Sequence, residues 1–240
     1  MGTAGLFSNI LHKEISAYAA WMPVANTFRL GDYGVISDGV LVKMGNIDEF
    51  GVSFATAAGK PIDLNFRSHG TKVRRFAAGA EIQAMPPADI NAKLVVEFDA
   101  ADSFYIDAHL NVEEIGNLAQ VGRALRRHPE WQRKYRVVFA TYTGRNCTVL
   151  SSRSANSKVE ISGKANALQQ LELGQANAGI TVSAEEQVGL RVVGKTGVVG
   201  LRMFKLNLFG SGPSVLGPED EDVDEDLVQK DDAAELADDV

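Results

Sequence analysis

Three groups of residues in this chain have the types needed for chemistry, and each makes a definite demand on its surroundings. Gly189 to Gly197, "GLRVVGKTG", spells the phosphate-loop pattern G-x-x-x-x-G-K-[ST], closed by Gly194, Lys195 and Thr196. That pattern binds nucleotide only where a buried strand leads into the glycines and a helix leaves them, because backbone N–H groups and the helix's positive end hold the phosphates. Strand-like Val192-Val193 and Val198-Val199 flank the motif on both sides and no helical period follows Thr196, so Gly194 to Gly197 reads as a turn and no nucleotide is expected. The four histidines, His12, His69, His109 and His128, are scattered, and Asp107 and His109 alone share a strand face, which is too few ligands for a metal. Cys147 has no neighbouring His and acid to activate it and reads as a small apolar filler. The expectation is a protein without catalytic residues, metal or cofactor.

The elements that would carry a site follow from periodicity. "GLFSNILHKEISAY" sets Leu6, Phe7, Ile10, Leu11, Ile15 and Tyr18 on one face of an amphipathic helix. That stripe either packs on the body or touches a membrane, and Leu6, Phe7, Ile10 and Leu11 are the candidate contacts. After Pro23 the period shortens to two. "YGVISDGVLVKMG" is a hairpin turning at Asp38-Gly39, and residues 33–110 read as almost entirely β. "NVEEIGNLAQVGRALRRH" predicts a central helix capped by Asn111 with Glu114, ended by Pro129. "YRVVFATYTGRNCTVLSS" predicts a hairpin hinged at Gly144-Arg145-Asn146, and "KVEISGKANALQQLEL", "GITVS" and the stretch to Phe209 continue the β texture. The fold class is α+β: an antiparallel, twisted sheet with β-hairpins, an N-terminal amphipathic helix and a central helix.

Charge divides the chain into a body, 1–217, and an acidic tail, 218–240. From Pro218 onward twelve Asp and Glu meet one Lys, whereas the body carries nineteen acids against twenty-three Lys and Arg. The tail is either a solvated, flexible segment or an internal competitor for a basic surface. The candidate surface is Arg123, Arg126 and Arg127 at the end of the central helix with Arg133 and Lys134 beyond it; the helix cations either complement the helix dipole or form an anion and lipid-headgroup patch. A body excess this small is short of a nucleic-acid footprint. No apolar run reaches the length of a transmembrane helix, and no signal peptide or myristoylation pattern is present, so a cytosolic resting protein is expected.

Element order, together with "YRVVFATYTGRNCTVLSS", "VEISGKA" and "ITVSAEEQVGLRVVG", resembles the pore-forming N-terminal domain of gasdermins across about residues 5–210. Bacterial members resemble one another in an acylated Cys near the N-terminus, which has no counterpart here. The resemblance implies a soluble, autoinhibited form whose short C-terminal segment is cut by an activating protease or displaced. It implies movement to anionic membrane lipids, homo-oligomerisation, and two hairpins opening into a β-barrel, with a role in cell death or defence. Tyr135 to Thr143 and Ala92 to Ala100 have the length for membrane strands. The other class open to this sequence is a non-enzymatic β-rich binding or assembly protein whose acidic tail contacts a protein partner.

Overall fold

The computed structural model describes residues 2–173, 179–206 and 213–215. Helix α1 spans Thr3–Ile15 and is stopped by Ser16, whose left-handed backbone lets its own N–H donate to the His12 carbonyl and the Ala17 N–H to that of Leu11. Then come strands β1 (Tyr18–Ala19), β2 (Asp32–Ser37), β3 (Val40–Asn46), β4 (Thr56–Ala58), β5 (Ile62–Arg67), β6 (Thr71–Ala77), β7 (Ala80–Ile82), β8 (Asn91–Phe98) and β9 (Phe104–Ile115). Helix α2 (Leu118–Arg126) is followed by β10 (Arg136–Ser152), β11 (Ser157–Lys164), helix α3 (Ala165–Glu172), β12 (Thr181–Ala184), β13 (Val188–Leu206) and β14 (Pro213–Val215). The α+β class holds, with antiparallel pairing throughout both sheets.

The β2–β3 hairpin turns at Asp38-Gly39 as the sequence predicts, with φ of 51° and 76° at the two turn residues, the left-handed pair a two-residue hairpin requires. Four expectations change. Asn111 to Ile115 do not begin the central helix but end β9: Leu110 and Val112 are buried while His109 and Glu113 are exposed, the two-residue alternation of a strand, and the backbone from Asn111 to Ile115 pairs with β10 and β4. Asn117 precedes the shortened helix instead. Gly144-Arg145-Asn146 is not a hairpin hinge, because β10 runs unbroken for 17 residues and takes up Asn146 (φ 48°) as a bulge. Gly194 to Gly197 is likewise a bulge inside the 19-residue β13 rather than a turn, opposed to the first: Gly144 faces Gly197 and Cys147 faces Lys195. The two long strands bend together there, which keeps their pairing on both sides. Finally, Ala165 to Glu172 is helix α3 where the sequence reading continued a strand.

Asp32, fully buried, fastens the β2–β3 end of the large sheet: Lys43 Nζ lies 2.8 Å from one carboxylate oxygen and Asn46 Nδ2 donates to the other at 2.8 Å. The acidic tail, 218–240, lies outside the described residues.

Candidate functional site

The two sheets share one strand order. In the large sheet, β5, β9, β10 and β13 lie side by side. In the small one, β6, β8, β11 and β12 lie side by side. Each of these four small-sheet strands is the chain continuation of the strand at the same position in the large sheet: β5 runs into β6, β8 into β9, β10 into β11 and β12 into β13, while the short β7 adds a fifth strand beyond β6. The small sheet is therefore the large sheet's four-stranded end folded over onto its own face. It is built from two excursions, Ser68–Ser103 and Arg153–Gln187, each leaving and rejoining a pair of neighbouring strands.

Register shows how orderly the fold-over is. Phe104 stands opposite Ser151 in β9–β10, and Phe98 stands opposite Ser157 in β8–β11. The inner bends, 99–103 and 152–156, therefore consume the same number of residues, and the central pairing is in step on both sides of the bend. The outer bends, 68–70 and 185–187, are shorter and equal to one another. Backbone of the kind that turns a strand aside occurs at three of the four bends: Gly70 (φ 79°), Asp102 (56°) and Asn156 (59°).

The folded-over sheet has two unlike faces. Leu94, Val96, Phe98, Val159 and Ile161 are buried toward Tyr105 and Leu150 of the large sheet and toward Leu168 and Leu171 of α3. The opposite face carries Lys72, Arg74, Lys93, Glu97 and Glu160, joined in ion pairs such as Lys72–Asp99 at 2.9 Å and Lys93–Glu160 at 3.4 Å. Val95 also points outward, opposite Arg74 and Glu160, which accounts for the continuous apolar look of "LVVEF".

A polar cluster interrupts the apolar seam. Arg75, on the inward face of β6, pairs with Glu172 at the end of α3 at 2.7 Å. Tyr105 of β9 donates to Asp107 at 3.3 Å, and the Arg67 guanidinium lies 5.7 Å from the Tyr105 ring centre. Burial pushes the Asp107 carboxyl up to about 6; the Tyr105 hydrogen bond opposes this, Glu172 adds to it, and Arg67 and Arg75 oppose it. Sequence reading missed this cluster because Arg75 and Glu172 are far apart in the chain; Asp107 itself stood out only through its shared face with His109, which pairs instead with Asp63 at 2.6 Å.

The sequence-derived candidates fall into two separate places. Phe7 and Leu11 are fully buried and Leu6 and Ile10 partly so, with Phe7 stacked on Phe104 at 5.9 Å between ring centres. Arg123, Arg126, Arg127, Arg133 and Lys134 are all exposed, on α2 and the segment after it, above a different core cluster that includes Leu125, Trp131 and Tyr135. Strand β14 pairs with the end of β13 and lies against α2. Lys195 and Thr196 line a groove of about 670 Å³ with Met22 and Pro23, and strand rather than helix follows them. Cys147 is fully buried, its thiol pushed up to about 12 chiefly by that burial. Among the described residues no group of His, Cys, Asp and Glu is arranged to hold a metal ion, and no helix is long and apolar enough to cross a membrane.

No protein-family model matches the chain, and no curated protein matches it. Among solved structures it is similar to a bacterial gasdermin from Bradyrhizobium tropiciagri, at 10% identity over 88% of this chain and 90% of that one, with a TM-score of 0.37.

Proposed function

We propose that this chain is a gasdermin-like membrane pore-forming effector: a resting form held by its C-terminal segment that, once released, assembles on anionic lipid and unfolds the folded-over sheet into a β-barrel. The observation that carries this reading is the shared strand order of the two sheets. Straightening the four bends would extend β5, β9, β10 and β13 without exchanging any neighbour. The two excursions hold about 35 residues each, enough for two strands apiece where a tilted membrane strand needs roughly 9–11. The face that now packs on Tyr105 and α3 would turn to lipid, and the ion-paired face to a water-filled lumen, the alternation a membrane barrel demands.

Assembly follows from the same geometry. Among the described residues β5 pairs only with β9, and β13 from Val188 to Gly197 pairs only with β10, so both outer edges of the four-stranded unit are open to a neighbour. Four strands are an even number, so a β5 edge set beside the β13 edge of another copy stays antiparallel, and head-to-tail repetition closes into a ring. For restraint, the tail's charge of opposite sign to the body and the packing of β14, the last described segment before it, against α2 support competition between tail and lipid for one basic surface.

The test places an environment-sensitive dye on adjacent residues of β12, using Val182→Cys and Ser183→Cys in the 1–217 fragment; Cys147 is buried and stays unlabelled. With anionic liposomes that leak, the dye at 182 is expected to be quenched from within the lipid and the dye at 183 from the water. Equal quenching at both sites, or no leakage by 1–217, contradicts the proposal; full-length protein leaking as fast as 1–217 contradicts the restraint.

A further inference from the structure

We propose that Asp107 and the groups around it form a pH-sensitive latch on the seam between the two sheets: the protonated carboxyl keeps the folded-over sheet packed, and ionisation favours its parting. This rests on the pore-forming reading for its consequence, since the same parting precedes membrane insertion, but its measurement needs no membrane.

The geometry places Asp107 where the two sheets meet. It projects from β9 beside Tyr105, which is buried in the same apolar cluster as Val96 and Phe98 of β8 and Leu171 of α3. Four other elements, β5, β10, β6 and α3, present polar or charged groups to this point. From β5 come Asn65, directly opposite Asp107, and Arg67, with Asp63 beyond them; from β10 comes Thr148, opposite on the other side. From β9 itself come Tyr105 and, further out, His109 held by Asp63. Across the seam stand Arg75 of β6 and Glu172 of α3, each about one-fifth exposed, at 20% and 19%. An ionised Asp107 thus adds a second carboxylate beside Glu172 in a place poorly reached by water. The two guanidiniums offset part of that cost, but one is already committed to Glu172 and the other lies on the Tyr105 ring.

The direction of the effect follows from proton binding. In the packed form the carboxyl sits near 6, raised chiefly by burial, whereas exposed by parting it returns toward the ordinary 3.8. The packed form therefore binds the proton more tightly. Its advantage is complete below the lower value and is lost as pH rises to and through the upper one. Between pH 5 and 7.5 the ratio of packed to parted molecules should fall about tenfold, the change that two such pKa values imply for one group. At neutral pH the seam is then held by packing and by the Arg75–Glu172 pair, against an ionised Asp107.

The experiment is hydrogen exchange on the full chain in membrane-free solution, at pH 5 and 7.5 and corrected for the intrinsic exchange rate, read at the amides of β8, β11 and α3. A carbon-13 titration of the Asp107 carboxyl accompanies it. Wild type should lose about tenfold in protection on going to pH 7.5. Asp107→Asn, which cannot ionise, should show no such loss. Tyr105→Phe removes the hydrogen bond that favours the carboxylate, so the titration midpoint should move to higher pH. Protection in wild type that ignores pH, or a midpoint near the ordinary aspartate value, overturns the latch. So does an Asp107→Asn protein as pH-dependent as wild type. Should Asp107→Asn fail to fold, the wild-type and Tyr105→Phe titrations still decide. A failed dye-quenching test with an intact pH response would reject the pore and leave the latch; the converse result rejects the latch alone.

Discussion

Because β8–β11 continues β9–β10 in step, tying β8 to β11 covalently should not obstruct straightening. The perturbation is Glu97→Cys with Lys158→Cys, a directly opposed pair on the ion-paired face of the folded-over sheet. Opposed residues of antiparallel strands have Cα atoms about 4.5 to 5.5 Å apart, inside the roughly 4.4 to 6.8 Å a disulfide spans. If the sheet straightens as a unit, the pair keeps its register and the bond remains unstrained. A slip of one residue would displace the partners by about 3.4 Å and turn one strand's apolar face to the wrong side; two residues, about 7 Å, would exceed what the bond allows. The assay is dye release from anionic liposomes by the 1–217 fragment, oxidised and reduced, with bond formation checked by mass. Cys147 does not compete, being fully buried with its thiol pushed up to about 12. Oxidised protein should leak at a rate within a factor of about two of the reduced form, since no term above about 0.4 kcal/mol separates them. Leakage that vanishes on oxidation and returns on reduction would mean that β8 and β11 must separate, and the folded-over-sheet reasoning would fall.

Three further outcomes are expected. Phe7→Ala should lose about 3–5 kcal/mol of stability in chemical denaturation, because Phe7 is fully buried against Phe104 and Trp21; a loss below about 1 kcal/mol would show α1 to be a loosely held helix able to leave the core. Asp32→Ala should cost about 3–5 kcal/mol by the same measure, since it removes the fully buried carboxylate that Lys43 and Asn46 both hold, and a near-neutral effect would contradict the role given to that carboxylate. Calorimetry with ATP and GTP should give no binding heat for wild type or Lys195→Ala, because β13 continues through the motif and offers phosphate no helix N-terminus; a micromolar affinity lost in the variant would reverse this.

Most local structure was legible in the sequence, and the part that was not is long-range. The stripe of Phe7 and Leu11 and the Asp38-Gly39 turn carry their conformations in their own spacing and dihedral preferences. Gly144 and Gly194 mislead for a physical reason: glycine and left-handed Asn serve a bulge as readily as a turn, and only the opposing strand decides between them. Val112 and Ile115 stand six and three residues before Leu118 and so fit its helical period, yet they lie on opposite faces of β9, and pairing with β10 and β4 selects the strand. Helix α3 lies in a stretch whose Ala and Leu spacing carries a helical face, but the preceding strand texture hid its start. The fold-over is invisible locally, since the equality of residues in the two inner bends acquires meaning only when the partners of Phe98 and Phe104 are known.

The energetics of the two sheets explain why such a resting form could be both well packed and convertible. Leu94, Val96, Phe98, Val159 and Ile161 are removed from water by the large sheet and α3, but a lipid interior would remove them from water as completely, so their burial opposes opening in water far more than at a membrane. The outward ion pairs contribute little to either state: Lys72–Asp99 and Lys93–Glu160 are 58%/49% and 42%/30% exposed, and pairs of that kind are typically worth about 0–1 kcal/mol. They would stay hydrated on a lumen face. What distinguishes the packed form is then the seam's polar groups. Arg75 and Glu172 hold each other where a lipid-facing Arg75 would be costly, by roughly 2–4 kcal/mol at mid-bilayer and little near the interface. Arg75 sits only two residues from the end of β6 at Ala77, where the chain reverses into β7, so the tip of that hairpin can carry it to the headgroups. Moving the charge one turn of the pleat inward, by Arg75→Val with Val73→Arg, should leave folding near normal only if the relocated guanidinium still reaches Glu172, and should slow leakage by placing that charge deeper; unchanged leakage would mean that β6 does not enter the lipid.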